Sequence, residues 1–181
     1  PSEDVIRFLA RNYGALSDRS AIRVLEVGCG PGANLWYLAR EGYSLAGIDG
    51  SPSAIAQAKA RFAADGIGAG AELNVGDFSI LPWADASFDV VLDIEALSAN
   101  RLATIRATLA EIARVLRPGG RVFAKMFGPK STGCNTGREI EPMLAFVRSP
   151  ASARVRSTIS RAALLVNDSA TIEAGGTPRP R

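Results

Sequence analysis

The spacing of apolar residues changes several times along this chain, and each change marks an element. Val5, Ile6, Leu9 and Tyr13 recur at helical intervals behind Ser2, a capping residue type, and Gly14 follows them. The pattern predicts an amphipathic helix over residues 2–13. Within residues 22–27, Val24, Leu25 and Val27 are apolar and mostly β-branched, the profile of a buried strand. Residues 33–40 return to helical spacing and Gly42 stops them. A second strand spans residues 43–48 and closes on Asp49. Gly50 lets the chain turn, and Ser51-Pro52 then opens a helix over residues 53–64, with the hydroxyl as cap and Pro at the first helical position. Residues 72–75 read as a short strand and residues 88–94 as a longer, nearly continuous apolar one. Leu102, Ile105, Leu109, Ile112 and Leu116 form one stripe of a helix over residues 101–116. Arg117-Pro118-Gly119-Gly120 ends that helix and leads into a fifth strand, residues 122–127. Alternation of this kind predicts an α/β protein: a doubly wound, mostly parallel sheet with helices on both faces.

The pattern fades after Phe127. Residues 128–142 are loop-like, and residues 143–147 fit either a strand or a helix. From Arg148 the chain is rich in Ser, Ala and Arg, with residues 162–166 its one apolar run. The expected organisation is a domain over residues 1–147 and a basic tail over 148–181, disordered or aberrant, with the C-terminal strands of the sheet incomplete. A truncated or frame-shifted end is one account of that tail, a basic segment for an acidic partner another, and a solvated end the favoured one. The missing initiator Met fits a trimmed or partial product.

Charge sharpens this division. The chain has 21 Lys and Arg against 18 Asp and Glu. Six of the Arg and two of the acids lie from Arg148 onward, which leaves 15 against 16 in residues 1–147. The folded part therefore lacks the basic face that phosphate binding needs, and no nucleic-acid partner is expected. At 181 residues, 47% apolar and 22% charged, the composition is that of one globular domain. Cys29 and Cys134 give no disulfide framework. No run of 18 apolar residues occurs, so no membrane partner is expected, and the start lacks the basic and apolar blocks of a leader. A cytoplasmic location is expected.

The candidate chemistry begins at the first strand's end, where Gly28, Gly30 and Gly32 alternate before a helix. Glycines belong where backbone takes positive φ or approaches a ligand closely. Gly28-x-Gly30-x-x-Ala33 fits a loose dinucleotide fingerprint, and a purely structural turn is the plain alternative. Asp49 lies 23 residues after Glu26, at the end of the second strand, where a carboxylate can accept from both hydroxyls of a ribose. Asp77 and Phe78, at the end of the third strand, suit adenine, the acid accepting from the amine and the ring packing on the base; on its own, Gly76-Asp77 reads as a plain turn. Asp93, Ile94 and Glu95 end the fourth strand, the edge where ligands of open α/β sheets bind.

Four segments together resemble the class I S-adenosylmethionine-dependent methyltransferases that act on small molecules. They are EVGCGPG (26–32), GIDGS (47–51), GDFSILPWADASFDVVLD (76–93) and RVLRPGG (114–120), in that family's order and spacing. The resemblance implies a Rossmann-like sheet, S-adenosylmethionine as cofactor and a small-molecule methyl acceptor. It implies that Gly28, Gly30 and Gly32 pass close to the amino-acid part, with Glu26 supporting the loop. Asp49, beside Gly50, would bind the ribose hydroxyls, and Asp77 and Phe78 adenine. Ile94 would offer backbone beside the methionine moiety. The family's two last strands, one antiparallel, are not found in the pattern here.

A sulfonium-bound methyl is already activated, so transfer needs mainly positioning, worth up to about 7–11 kcal/mol in favourable cases. The chain has no His, which removes the commonest general base. Asp93 and Glu95 would share a face if the strand ran that far. Glu95 is the candidate catalytic residue, as a substrate or base contact; ordering of the following loop is its competing role. Polar residues near Asn100, Arg101 and 133–139 are expected to help choose the acceptor, and no metal site is assigned. A nicotinamide-dependent oxidoreductase and a non-catalytic Rossmann-like binding module are the alternative functions.

Overall fold

A computed structural model describes residues 1–126, 163–167 and 171–175 of the chain. Its centre is β1 (Arg23–Val27), whose last four residues are all buried. β1 pairs in parallel with β2 (Ser44–Asp49) on one side and with β4 (Phe88–Ile94) on the other. β3 (Glu72–Val75) extends the sheet beyond β2, and β5 (Leu116–Lys125) extends it beyond β4. Two further strands, β6 (Ala163–Asn167) and β7 (Thr171–Gly175), complete the order β3-β2-β1-β4-β5-β7-β6. Strand order reverses at β1, so a crevice opens over the carboxyl ends of β1 and β4.

The alternation of side chains along β1 divides the core in two. Val24 faces the layer of α1 (Glu3–Tyr13), α2 (Ala33–Arg40) and α3 (Pro52–Ala64), where it packs with Val5, Phe8, Leu35, Leu38, Ile55 and Phe62. Leu25 and Val27 face the layer of α4 (Leu102–Val115), with Ile105, Ile112 and Val115. Helices thus cover both faces, as the alternation of elements implied.

The structure corrects several local expectations. Ser2 does not cap α1 with its side chain; its backbone N–H donates to Asn34 Oδ1 at 2.7 Å instead. The stripe that α1 buries is Val5, Phe8 and Leu9, while Ile6 and Tyr13 stay partly exposed, because the helix is rotated toward the ring of Phe123. The fifth strand begins at Leu116. Its pairing with β4 shifts register between Phe88 and Val90, and the Arg117–Gly120 segment forms an excursion within the strand rather than a turn before it. Ser51 behaves as expected: its Oγ accepts from Ala54 N–H at 3.3 Å, with Pro52 at the first helical position.

The largest correction concerns the region after Arg148. β7 runs antiparallel to β5, with Ala124 opposite Ile172, and β6 runs antiparallel to β7. The edge of β5 is therefore paired, by two strands that the pattern after Phe127 does not announce. The apolar run at 162–166 becomes β6. β7, TIEAG, has too little alternation to announce a strand; its partner strands supply what its own pattern lacks. The expectations for residues 127–162, including Cys134 and the loop at 133–139, lie outside the described residues. Among those described, no helix is long and apolar enough to cross a membrane.

One side chain makes many of the bonds that hold the connection between β3 and β4. Arg114, near the end of α4, donates to the carbonyls of Trp83 (2.7 Å) and Leu81 (2.9 Å) and pairs with Asp85 (3.0 Å). It also forks onto both oxygens of Glu111, one of which accepts from Leu81 N–H. Partly exposed ion pairs contribute little, but loss of the fork leaves two carbonyls without their donor. Arg114→Ala should lower stability by about 2–3 kcal/mol, and Lys, which lacks the planar fork, should not restore it. Urea unfolding of both variants measures this; a loss below about 0.5 kcal/mol would show that the connection holds without it.

Candidate active site

The site is built by the turn between β1 and α2. Gly28, Gly30 and Gly32 all take positive φ (+66°, +51° and +73°), so the chain bends where side chains are disfavoured. The turn then folds back onto the end of β2. Gly28 N–H and Cys29 N–H both donate to the Ile48 carbonyl, at 2.8 and 3.1 Å. Gly30 N–H donates to Asp49 Oδ2 at 2.7 Å, and the other oxygen of that carboxylate accepts from Ser51 N–H at 2.8 Å. Asp49 thereby clamps the glycine turn to the loop that opens α3. A carboxylate has about four acceptor positions, so two remain for other donors.

The three glycines do different things. A Cβ at Gly30 would meet nothing within 4 Å, and the same holds at Gly50. Open space therefore adjoins both ends of the Asp49 clamp. At Gly32 a Cβ would lie 3.0 Å from the Ala58 methyl, so this glycine makes room for α3. At Gly28 a Cβ would lie 2.2 Å from the Ala96 methyl, so the loop after β4 rests directly on the turn. Gly32 is also the N-cap of α2 and brings no capping oxygen. The open turn and the uncapped helix start fit a ligand with a negative group at one end and hydroxyls near Asp49.

Glu26 and Asp93 lie on adjacent strands, but on opposite faces of the sheet. Val27 is the residue paired with Asp93, which puts Glu26 on the α2 side and Asp93 on the α4 side. Glu26 is fully enclosed; Asn34 Nδ2 donates to its Oε1 at 2.6 Å, and Oε2 has no partner. Burial pushes its carboxyl up to about 8, against the opposing effect of the Asn34 bond. Asp93 is also buried, and its Oδ1 accepts from the N–H groups of Ala96 (3.1 Å) and Leu97 (3.0 Å). It thereby holds the two amides that lead into the short 3₁₀ turn Leu97–Ala99. Burial raises its carboxyl to about 6, and its Oδ2 is unpartnered. Burial likewise pushes the Cys29 thiol up to about 12, which leaves it neutral and a poor nucleophile.

β4 ends at Ile94, so Asp93 and Glu95 do not share a face as expected. Glu95 turns out of the strand at φ +66°, a rare value for a residue with a side chain. Its N–H donates to the Lys125 carbonyl at 2.7 Å, and its carboxylate lies 3.8 Å from Lys125 Nζ. Ile94 is partly buried against the α1 side of the core. Phe78 packs on the α4 side of the core, and its ring edge comes near the Gly28 position. Asp77 is exposed, and its carboxylate accepts from Ser79 N–H at 2.8 Å, which holds its pKa below the usual range.

Asp49, Gly30 and Gly50 are thus brought together, with Phe78 and Gly28 beside the Ala96 loop. Glu26 lies beneath, in the sheet, and not at the surface of the crevice. Sequence reasoning missed Asn34, Ala96 and Lys125. Asn34 carried a signal: it is a polar residue in the first turn of a helix on the face that must be buried. Ala96 and Lys125 carried none, since their roles depend on the twist at Glu95.

Known proteins resemble this chain in sequence and in fold. Residues 24–120 match a family model described as a methyltransferase domain. A fatty-acid O-methyltransferase of Mycolicibacterium smegmatis is 37% identical over 124 residues, which cover 66% of this chain and 43% of that protein. A phthiotriol/phenolphthiotriol dimycocerosates methyltransferase of Mycobacterium tuberculosis is 40% identical over 105 residues, covering 57% of this chain and 37% of the relative. The chain thus spans about two-fifths of the length of these curated relatives. A solved S-adenosylmethionine-dependent methyltransferase from Methanosarcina mazei superposes with a TM-score of 0.59 at 31% identity, covering 67% of this chain and 58% of that one. The match takes in more than half of the chain, including the turn that Asp49 clamps, and it makes this protein a member of the class I S-adenosylmethionine-dependent methyltransferase family.

Proposed function

We propose that this chain binds S-adenosylmethionine at the carboxyl edge of β1, β2 and β4 and transfers its methyl group to a small-molecule acceptor. One observation carries the reading: the Asp49 carboxylate closes on Gly30 N–H at 2.7 Å while the space beside Gly30 and Gly50 stays open. The bound cofactor supplies a methyl group already activated by its positive sulfonium. Everything else falls to the chain's own side chains and backbone.

Asp49 would take the ribose hydroxyls on the acceptor positions that Gly30 and Ser51 leave free. Asp77 and Phe78 would hold the adenine, the ring offering an apolar wall and the exposed carboxylate an acceptor. The positive-φ turn from Gly28 to Gly32 and the start of α2 would take the amino-acid end, with Ile94 offering backbone beside it. Glu26, anchored by Asn34, would support the turn from below. Glu95 would meet the acceptor at the rim. It is not placed as a free base, because its carboxylate already faces Lys125. Rate enhancement would come from alignment and exclusion of water, the larger lever for a pre-activated methyl. The fatty-acid O-methyltransferase relative supports an oxygen nucleophile on an apolar carrier, and fatty acids are the first acceptors to test.

Isothermal titration with S-adenosylhomocysteine and with NAD tests the cofactor. The chain should bind the first and ignore the second, and Asp49→Ala should cost at least about tenfold in affinity, as expected for loss of a charged hydrogen-bond partner. Full affinity in that variant would remove the ribose assignment, and preference for NAD would replace the transferase by an oxidoreductase.

Glu26 makes a second prediction. Its folded-state pKa lies near 8, above the ordinary 4.5, so folding favours the protonated form. That contribution is fully present below about 4.5 and is lost as pH rises through 8. Glu26→Gln keeps an acceptor for Asn34 but cannot ionise. The stability of the native chain relative to this variant should therefore fall between pH 4.5 and 8 and level off above. Denaturant unfolding of both proteins across this range provides the check; a constant difference would mean that Glu26 titrates as an ordinary carboxyl.

A further inference from the structure

The loop after β4 is anchored at its first residue by a side chain and a carbonyl that the transfer scheme above does not use. Lys125, the last residue of β5, accepts Glu95 N–H on its carbonyl at 2.7 Å. Its Nζ lies between two acids, 3.8 Å from Glu95 Oε1 and 3.3 Å from Asp4 Oδ2 on α1. Glu95 is held there at φ +66°, and that twist drops Ala96 onto Gly28, where no Cβ would fit. Asp93 fixes the next two amides. The other end of the same linkage is α1, whose preceding residue, Ser2, is bonded to Asn34 and through it to Glu26. Lys125 therefore joins the first helix to the wall that stands over the glycine turn.

We propose that Lys125 is a positioning residue for methyl transfer: with Asp4 and Glu95 it sets where the 95–97 wall stands relative to the glycine turn. The inference rests on the proposed cofactor site. All three side chains are close to two-fifths exposed, so the ion pairs are screened and contribute little to stability. Their effect is on the alternatives open to a strained backbone. Glu95 leaves the left-handed region readily unless its surroundings over-determine it, and Lys125 supplies both its backbone acceptor and its counter-charge. A residue that only added stability would act on the whole fold. One that holds this twist acts on the amides of residues 95–97 and on whatever binds against them.

The test compares the whole chain with Lys125→Met and Lys125→Arg. Three quantities are read: amide hydrogen exchange at residues 95–97, affinity for S-adenosylhomocysteine, and the thermal midpoint. Lys125→Met should speed exchange at residues 95–97 by about two- to fivefold and weaken S-adenosylhomocysteine by a similar factor, with the midpoint moving by no more than about 2 °C. Lys125→Arg, which keeps the charge, should restore both. Unchanged exchange and affinity in Lys125→Met would overturn the proposal, and so would exchange that rises evenly over the fold or a defect that Arg does not rescue. If the native chain itself fails to bind S-adenosylhomocysteine, the cofactor site is wrong, and the exchange comparison still decides whether Lys125 holds the wall.

Discussion

The structure depends on one carboxylate meeting backbone that has no other partner. A turn built on three positive-φ glycines leaves its amides pointing inward, with no side chain of its own to receive them. β2 supplies the acceptors. The Ile48 carbonyl takes two of the amides and Asp49 takes the third, while Asp49 also secures the first residue before α3. The parallel register of β1 and β2, with Val27 opposite Ile48, puts those acceptors level with the turn. Shift the register by one residue and the clamp is lost together with the burial of Val24, Leu25 and Val27. The fold's own packing therefore positions the site, and no separate device is needed.

From this clamp the two faces of the sheet acquire different tasks. On the α2 side, Glu26 and Asn34 form a buried polar pair under the turn, tied through Ser2 to the first helix. On the α4 side, Asp93 accepts from two amides of the loop that leans on Gly28. Each carboxyl keeps one oxygen without a partner, which is costly in an apolar interior unless the group is neutral. The upward pKa shifts of both follow from that cost.

Much of this was legible in the residues, for local reasons. Runs of Val, Leu and Ile between glycine stops fix strands whatever their partners, and Ser51-Pro52 announces a helix start chemically. The glycine turn and the acid at Asp49 were legible because their spacing is set by one strand-helix-strand unit. What could not be read depends on distant parts of the chain. β7 has little pattern of its own and becomes a strand because the edge of β5 accepts it. The expected common face of Asp93 and Glu95 failed because β4 ends one residue too soon, and the end is decided by the Lys125 carbonyl on another strand. The buried stripe of α1 takes in Phe8 and leaves out Ile6 and Tyr13 because Phe123, more than a hundred residues away, selects Phe8.

The central claim is that a nucleoside lies over the turn with its sugar on Asp49. A crystal structure of the chain with S-adenosylhomocysteine bound tests it most directly. The account predicts the ribose hydroxyls within hydrogen-bond distance of the Asp49 carboxylate, with the amino-acid end over the Gly28–Gly32 turn. A ligand bound elsewhere, or with its sugar turned away from Asp49, would contradict it.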